Sequence, residues 1–188
     1  MANNFPIQTI EINSLSYPGI LSRRMGTDAP EKLRTIGNIK LMNTHKTALF
    51  CSKNCPGDAI LRTMDKAQEW RDQKRCIISG FHSPVEKECL KILLRGSQHI
   101  IICPAKSLEG MRIPKGWYDE IKSERILLLS FFDSSQKRLT AALSEKRNKL
   151  VAALSDDVFF SHISKGGKNE KLVGEITKWG IPVVNKIS

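Results

Sequence analysis

Short apolar runs alternate with helical stretches from about residue 46 to the end of the chain, and small polar loops join each run to its helix. The clearest unit is residues 47–86. An apolar run at 47–51 precedes a helical stretch there, and a second run at 75–79 precedes a helix that begins after Pro84. This order predicts a parallel α/β sheet. Ligands of such sheets bind outside the carboxyl ends of the strands, so the sequence places a binding site on the loops that follow the strands.

The same pattern predicts about six strands and about five helices. The predicted strands are residues 47–51, 75–79, 99–103, 126–130, 157–161 and 181–184, and the predicted helices are residues 58–73, 84–95, 115–121, 136–154 and 169–179. Ser134 and Ser135 are candidate caps of the helix at 136–154. The predicted fold class is therefore α/β, with a doubly wound, mostly parallel, Rossmann-like sheet whose alternate helices lie on opposite faces.

Residues 1–45 lack this alternation. A turn is predicted at Tyr17-Pro18, and a short helix is predicted at 28–33 with Asp28 as its N-cap. The rest of the segment is expected to be irregular or extended. We therefore predict that residues 1–45 form a short N-terminal arm that packs on a main domain of residues 46–188.

The chain is strongly basic. Its 188 residues include 30 Lys and Arg against 19 Asp and Glu, a net charge of +11. Such a balance favours a polyanionic partner, namely nucleic acid, a nucleotide or an acidic membrane surface. No apolar run approaches the roughly 20 residues of a membrane helix, and the first residues do not have the pattern of a signal peptide. We expect a cytoplasmic location and no membrane partner.

The five cysteines do not indicate a metal site. Cys76 and Cys103 lie in apolar runs and Cys89 lies on a predicted helix, so buried thiols are expected at all three positions. The pair Cys51 and Cys55 lacks a second pair with matching spacing, which zinc sites require. No metal and no cofactor is predicted.

Four segments carry the candidate phosphate-binding groups: the loops after the first, second and fifth predicted strands, and the helix at 136–154. Backbone N–H groups at helix starts, glycines that allow close approach, and cationic side chains are the groups that hold phosphate. The candidate residues are Ser52, Lys53, Asn54, Gly80, Phe81, His82, Ser83, Arg147, Asn148, Lys165, Gly166, Gly167 and Lys168. Ordinary turns, helix caps and solvated charges are the alternative interpretation of the same residues.

No catalytic residue is predicted. The loops contain neither a GxGxxG fingerprint nor a P-loop. His82 and Glu86 could act as acid and base, but a lone histidine in such a loop is more often a hydrogen-bonding group. Phe81 is the aromatic residue placed to stack on a nucleic-acid base.

The order of these landmarks resembles the DNA-processing protein A (DprA/Smf) family, within the lysine-decarboxylase-like (SLOG) superfamily. The family's YP falls on Tyr17-Pro18 and its P-x-x-L-x-x-x-G on residues 30–37. Its VGSR falls on residues 50–53, its SGxARGID on 79–86 and its RNRIIAxLSD on 147–156, the most specific match. The chain departs from the family at Lys53 and Ser83, which replace arginines, and at Glu86, which replaces aspartate. The SGSLxTA segment is matched only loosely at 166–172.

The resemblance implies binding of single-stranded DNA, dimerisation and loading of a RecA-type recombinase. A nucleotide sensor or a nucleoside-monophosphate phosphoribohydrolase is the alternative, because the phosphoribohydrolases of the superfamily have an arginine where this chain has Arg147. Their PGGxGTxxE loop is incomplete here, since Gly166-Gly167 lacks the preceding proline and the GT. A non-catalytic DNA-binding protein is therefore the preferred interpretation.

Overall fold

A seven-stranded sheet forms the centre of the molecule in the part of the chain that the computed structural model describes, residues 5–52, 55–136, 139–163 and 166–184, without the side chain of Lys168. Its strands lie in the order β1-β2-β6-β5-β4-β3-β7. Strands β3 to β7 pair in parallel, whereas β1 and β2 extend the β6 edge as antiparallel strands. The strands are β1 (Gln8–Glu11), β2 (Lys32–Gly37), β3 (Lys46–Phe50), β4 (Cys76–Ser79), β5 (Ile100–Ile102), β6 (Ile126–Ser130) and β7 (Asp157–Phe160).

Helices cover both faces of the sheet, which is why every residue of the five parallel strands is buried. Helices α1, α5 and α6 pack in the core on one face, and α2, α3 and α4 pack in the core on the other. The helices are α1 (Gly19–Met25), α2 (Gly57–Asp72), α3 (Pro84–Leu94), α4 (Tyr118–Lys122), α5 (Ala141–Leu154) and α6 (Lys168–Lys178). The predicted doubly wound α/β architecture is confirmed.

The N-terminal segment differs from its prediction. The helix predicted at 28–33 is wrong, because Gly26–Asp28 forms one turn of 3-10 helix and β2 begins at Lys32. Pairing of β2 with β1 and β6 overrides the local capping pattern, since a strand with two partners satisfies its backbone along both edges. Two strands of the sheet thus come from residues 1–45, and the division at residue 45 stays a prediction.

Two residues of the N-terminal motifs have structural roles. Tyr17 is buried, and its hydroxyl donates to the backbone oxygen of Pro30 at 2.7 Å, which holds the entrance of α1 close to the start of β2. Gly37 ends β2 with φ of 108°, and a Cβ there would overlap the backbone oxygen of Ile126. Only glycine fits that position, because it combines a positive φ with a close approach of backbone to backbone.

Helix α5 begins later than its prediction. Its first residue is Ala141, and the side chain of Thr140 caps it by accepting the N–H of Leu143 at 3.2 Å. Ser135 does not cap the helix, because its N–H and hydroxyl both donate to the carboxylate of Asp133. The predicted last strand at 181–184 is reduced, within the described residues, to an isolated bridge between Val158 and Val183.

The strand order places two loops side by side at the carboxyl edge of the sheet. The chain runs from β3 through β4 and β5 to β6 in one direction, and then returns to place β7 on the other side of β3. The loops after β3 and β7 therefore flank the switch point, which is where open α/β sheets bind their ligands.

Candidate functional site

Ser52 connects the loop after β3 to the loop after β7. Its hydroxyl donates to the backbone oxygen of His162 at 3.1 Å and accepts the side-chain N–H of Asn169, also at 3.1 Å. Beside it, the thiol of Cys55 lies 3.6 Å from the hydroxyl of Ser161. These contacts hold the two loops of the switch point together.

Several of the predicted phosphate-binding groups fall outside the described residues. They are Lys53, Asn54 and Lys165, together with the side chain of Lys168. Gly166 and Gly167 directly precede α6, and the N–H of Gly166 donates to the carboxylate of Glu170 at 2.6 Å. A carboxylate of the protein therefore already accepts one of the backbone N–H groups that the sequence suggested for a phosphate.

Glu86 accepts three backbone N–H groups from two loops. Its Oε2 accepts the N–H of His82 at 2.8 Å and of Ser83 at 3.0 Å, and its Oε1 accepts the N–H of Cys51 at 3.1 Å. In return, the hydroxyl of Ser83 accepts the N–H of Glu86 at 3.2 Å, which completes a capping box at the start of α3. Glu86 and Ser83 are both buried.

Gly80 lies against the guanidinium of Arg147. A Cβ built on Gly80 would overlap Nη1, Cζ and Nη2 of that side chain. Arg147 is only 5% exposed, and it donates from Nη1 to the backbone oxygen of Cys103 at 2.9 Å and from Nε to Asn148 at 2.7 Å. Glycine at this position leaves room for the guanidinium, which reaches from α5 across the ends of β4 and β5.

Arg147 is held as a buried cation. Burial lowers its pKa, and the negative charge of Glu86 opposes that shift. Its described hydrogen bonds go to protein groups, so in this structure Arg147 supports the loops after β4 and β5 from inside the protein. The half-buried Asn148 receives one of those bonds and fixes the direction of the guanidinium.

The loop after β4 presents His82 and buries Phe81. The ring of Phe81 is only 6% exposed, so the expectation of an exposed stacking aromatic is wrong. The backbone at Phe81 has φ of 46°, a turn that directs the ring into the core beneath the edge. His82 is exposed at the same turn, and its backbone N–H is bound by Glu86.

A cleft of about 450 Å³ extends the same edge beyond β5, in a stretch where the sequence indicated no site. Its lining includes Lys106, Ser107, Glu109 and Ser134. The hydroxyl of Ser130 donates to the backbone oxygen of Lys106 at 2.8 Å, which ties the loop after β5 to the end of β6. The sequence signal that could have indicated this cleft is the position of its loop, which also follows a parallel strand.

The structure thus brings most of the predicted residues to one edge. Hydrogen bonds connect the loops after β3, β4 and β7 with one another, and Arg147 of α5 packs against the loop after β4. The predicted residues described there are Ser52, Gly80, Phe81, His82, Ser83, Arg147, Asn148, Gly166 and Gly167.

Residues 8–167 match the model of the family described as DNA recombination-mediator protein A. This range covers well over half of the chain. The chain belongs to this family. The segment that the family model matches includes β1 to β7 and the loops that follow β3, β4, β5, β6 and β7.

Solved structures of DNA processing protein A share the fold of this family member. The Helicobacter pylori protein, described for its single-stranded DNA binding mode, has a TM-score of 0.71 and 23% identity, and the match covers 97% of this chain and 81% of that one. The Streptococcus pneumoniae protein has a TM-score of 0.75 and 20% identity, over 98% of this chain and 64% of that one. This chain therefore spans less than two thirds of the pneumococcal structure.

A more distant likeness extends beyond the family. The molybdenum cofactor binding protein from Rippkaea orientalis has a TM-score of 0.52 and 12% identity, over 74% of each chain. At these identities the structural neighbours establish the fold. No curated protein sequence matches this chain.

Proposed function

We propose that the chain binds single-stranded DNA through phosphate contacts at the carboxyl edge of the sheet, as part of DNA processing or recombination. The observation that carries the proposal is membership of the DNA recombination-mediator protein A family over residues 8–167. The structural likeness to the Helicobacter pylori protein, which is described as binding single-stranded DNA, supports the same conclusion. The net charge of +11 suits a polyanionic ligand.

The phosphate contacts are assigned to side chains more than to backbone amides. Glu86 and Glu170 already accept N–H groups of the loops after β3, β4 and β7, so those groups are not open to a phosphate in this structure. Cationic side chains on the same loops would neutralise the DNA backbone. The candidates, which stay predictions, are Lys53, Lys165 and Lys168, with Ser52, Asn54 and His82 as neutral hydrogen-bonding groups.

The first prediction is that oligothymidylate binding weakens steeply with salt. Each phosphate neutralised on a single strand contributes a slope of about −0.7 to log K against log salt concentration. Fluorescence anisotropy of a labelled oligonucleotide at several salt concentrations measures that slope. Lys53→Ala should lower the affinity and make the slope shallower by about 0.7, because one phosphate contact is lost.

A matched control is Lys178→Ala. Lys178 is an exposed lysine that lies in the last turn of α6, at the end of the helix away from the proposed DNA-binding edge. Its removal should leave the slope nearly unchanged. An affinity that does not depend on salt would contradict the proposal, because phosphate neutralisation releases counterions.

The nucleotide alternative depends on Arg147, the residue that corresponds to the arginine of the phosphoribohydrolases. In this structure its guanidinium is buried and bound to Cys103 and Asn148, which favours a structural role. Incubation with nucleoside monophosphates, followed by chromatography for free base, tests the alternative. Release of base in proportion to protein concentration would replace the DNA-binding proposal with an enzymatic one.

Dimerisation, recombinase loading and a cytoplasmic location also belong to the proposal. A second copy of the chain and a RecA-type recombinase are the protein partners that we infer from the family resemblance. Light scattering on the purified protein tests the first of these. Over the described residues, none of the helices combines the length and apolarity that crossing a membrane requires.

A further inference from the structure

One buried carboxylate, that of Glu86, binds two loops of the proposed DNA-binding edge and fixes their relative position. We propose that Glu86 is the positioning residue of this edge, and that DNA binding depends on it although it carries a negative charge. The inference rests on the proposed function. Glu86 has this role because the three backbone N–H groups that its carboxylate accepts belong to loops at the edge.

The contact of Glu86 with Cys51 goes beyond helix capping. A glutamate in a capping box bonds the start of its own helix, as Oε2 of Glu86 does with His82 and Ser83. Its other oxygen, Oε1, crosses to the N–H of Cys51, which lies 35 residues earlier in the chain. A single side chain thereby couples the end of β3 to the start of α3.

The coupling continues along the edge. The residue after Cys51 is Ser52, whose hydroxyl is bonded to His162 and Asn169. A fixed position for the N–H of Cys51 therefore also orients the loop after β7. On the other side, Arg147 packs on Gly80 and binds Cys103, which fixes the loops after β4 and β5. Glu86 is the link between the two halves of this arrangement.

Electrostatics and positioning predict opposite effects when the charge is removed. A carboxylate near bound phosphates opposes binding, so charge alone predicts that Glu86→Gln binds DNA more tightly. Positioning predicts weaker binding. The glutamine amide would place N–H groups against the N–H groups of Cys51, His82 or Ser83, and the loops would separate.

The test compares Glu86→Gln with Glu88→Gln by anisotropy with oligothymidylate at one salt concentration. Glu88 lies on the same helix, is exposed, and pairs with Lys91 at 2.6 Å, so its neutralisation makes the same charge change without loosening a loop. We expect Glu88→Gln to bind as the wild type does or slightly more tightly. Glu86→Gln should bind about tenfold more weakly, because displacement of the loops should cost the DNA about one charge-assisted hydrogen bond from their side chains.

Amide hydrogen exchange in the free proteins gives a readout that does not involve DNA. The N–H of Cys51 should exchange faster in Glu86→Gln than in the wild type. Glu86→Asp keeps the charge and is one methylene shorter, so it should lose the bond to Cys51 and keep those to His82 and Ser83. If Glu86→Gln does not fold, Glu86→Asp carries the test and should also bind DNA more weakly.

The outcomes separate the two proposals. Failure of the wild type to bind the oligonucleotide overturns the proposed function. Binding by the wild type, with equal or tighter binding by Glu86→Gln, overturns the positioning role alone. The positioning role is also overturned if Glu86→Asp loses protection at Cys51 and keeps the wild-type affinity.

Discussion

Two buried ionic side chains, Arg147 and Glu86, organise the edge of the sheet at the scale of single residues. Buried charges are tolerated only when partners satisfy them. Arg147 donates to a backbone oxygen, Glu86 accepts backbone N–H groups, and the charge of Glu86 favours the ionised form of Arg147. They come from helices on opposite faces of the sheet, α5 and α3. The edge is therefore fixed before any ligand arrives.

The close approach of Gly80 to Arg147 predicts that Gly80→Ala is destabilising. The new methyl group would overlap the guanidinium, and overpacking of this kind costs about 1–3 kcal/mol. Gly174→Ala is the matched control, because Gly174 lies within α6 with open space around it and should gain about 0.5–1 kcal/mol. Denaturant unfolding measures both changes.

A double variant shows whether Arg147 is the cause. Combining Gly80→Ala with Arg147→Ala removes the group that the methyl would meet, so the two losses in the free energy of unfolding should add up to more than the loss in the double variant. Additive losses, or a Gly80→Ala protein as stable as the wild type, would contradict the packing that the structure shows.

The sequence placed Gly80 and Arg147 at one edge, and in the structure the two residues lie against each other. The sequence could not give the direction in which the side chains of Arg147 and Phe81 point. Helical periodicity indicates that four consecutive polar residues cannot all face outward, but not which of them turns inward. Phe81 was expected to be exposed because its loop is polar. The positive φ that buries its ring depends on tertiary packing and leaves no local signal.

At the scale of elements, burial on two faces decided what the sequence could predict. The five parallel strands are continuous apolar runs, and such runs are recognisable without a partner. The strand β1 has a single buried residue, Ile10, and β2 mixes buried and exposed positions, so neither has an apolar run. Their pairing at the β6 edge is a long-range property, and the local pattern at 28–33 favoured a helix instead.

Helix α1 caps the end of α5, which predicts a stabilising role for Arg24. Its Nη1 donates to the backbone oxygens of Ala153 at 2.9 Å and Ser155 at 2.6 Å, where carbonyls at the carboxyl end of a helix lack partners. Arg24→Ala should therefore lower the free energy of unfolding by about 1.5–3 kcal/mol, the usual range for a charged hydrogen bond.

Arg23→Ala is the control for that prediction. Arg23 is the neighbouring arginine in the same last turn of α1, and it is exposed. Its removal should change the melting temperature little, since exposed surface substitutions usually stay within about 0.5 kcal/mol. Equal melting temperatures of the two variants in a thermal scan would show that the cap contributes nothing.

At the scale of the whole molecule, the buried cysteines make the free energy of unfolding depend on pH in the alkaline range. The expectation of buried thiols at Cys76, Cys89 and Cys103 is confirmed. Burial raises the pKa of Cys76 to about 11 and of Cys89 and Cys103 to about 12. Burial, with the charge of Glu86, also raises the pKa of Cys51. The folded protein thus keeps neutral thiols at a pH where the unfolded chain carries thiolates.

The sign of the pH effect follows from these shifts. Below about pH 8.5, the ordinary pKa of a cysteine, both states keep their thiol protons and the stabilisation is complete. Above it the unfolded chain binds fewer protons, so the free energy of unfolding falls by about 1.4 kcal/mol per pH unit for each such thiol, until the folded pKa is reached.

Denaturant unfolding between pH 8 and 11 should show this decline. Above pH 9, the free energy of unfolding of Cys103→Ala should fall less steeply with pH than that of the wild type, by the contribution of one thiol. Below pH 8 the two proteins should show the same pH dependence. This comparison separates the thiol from Tyr17, whose pKa is also raised by burial. Identical slopes in the two proteins would mean that Cys103 ionises as readily in the folded chain as in the unfolded one.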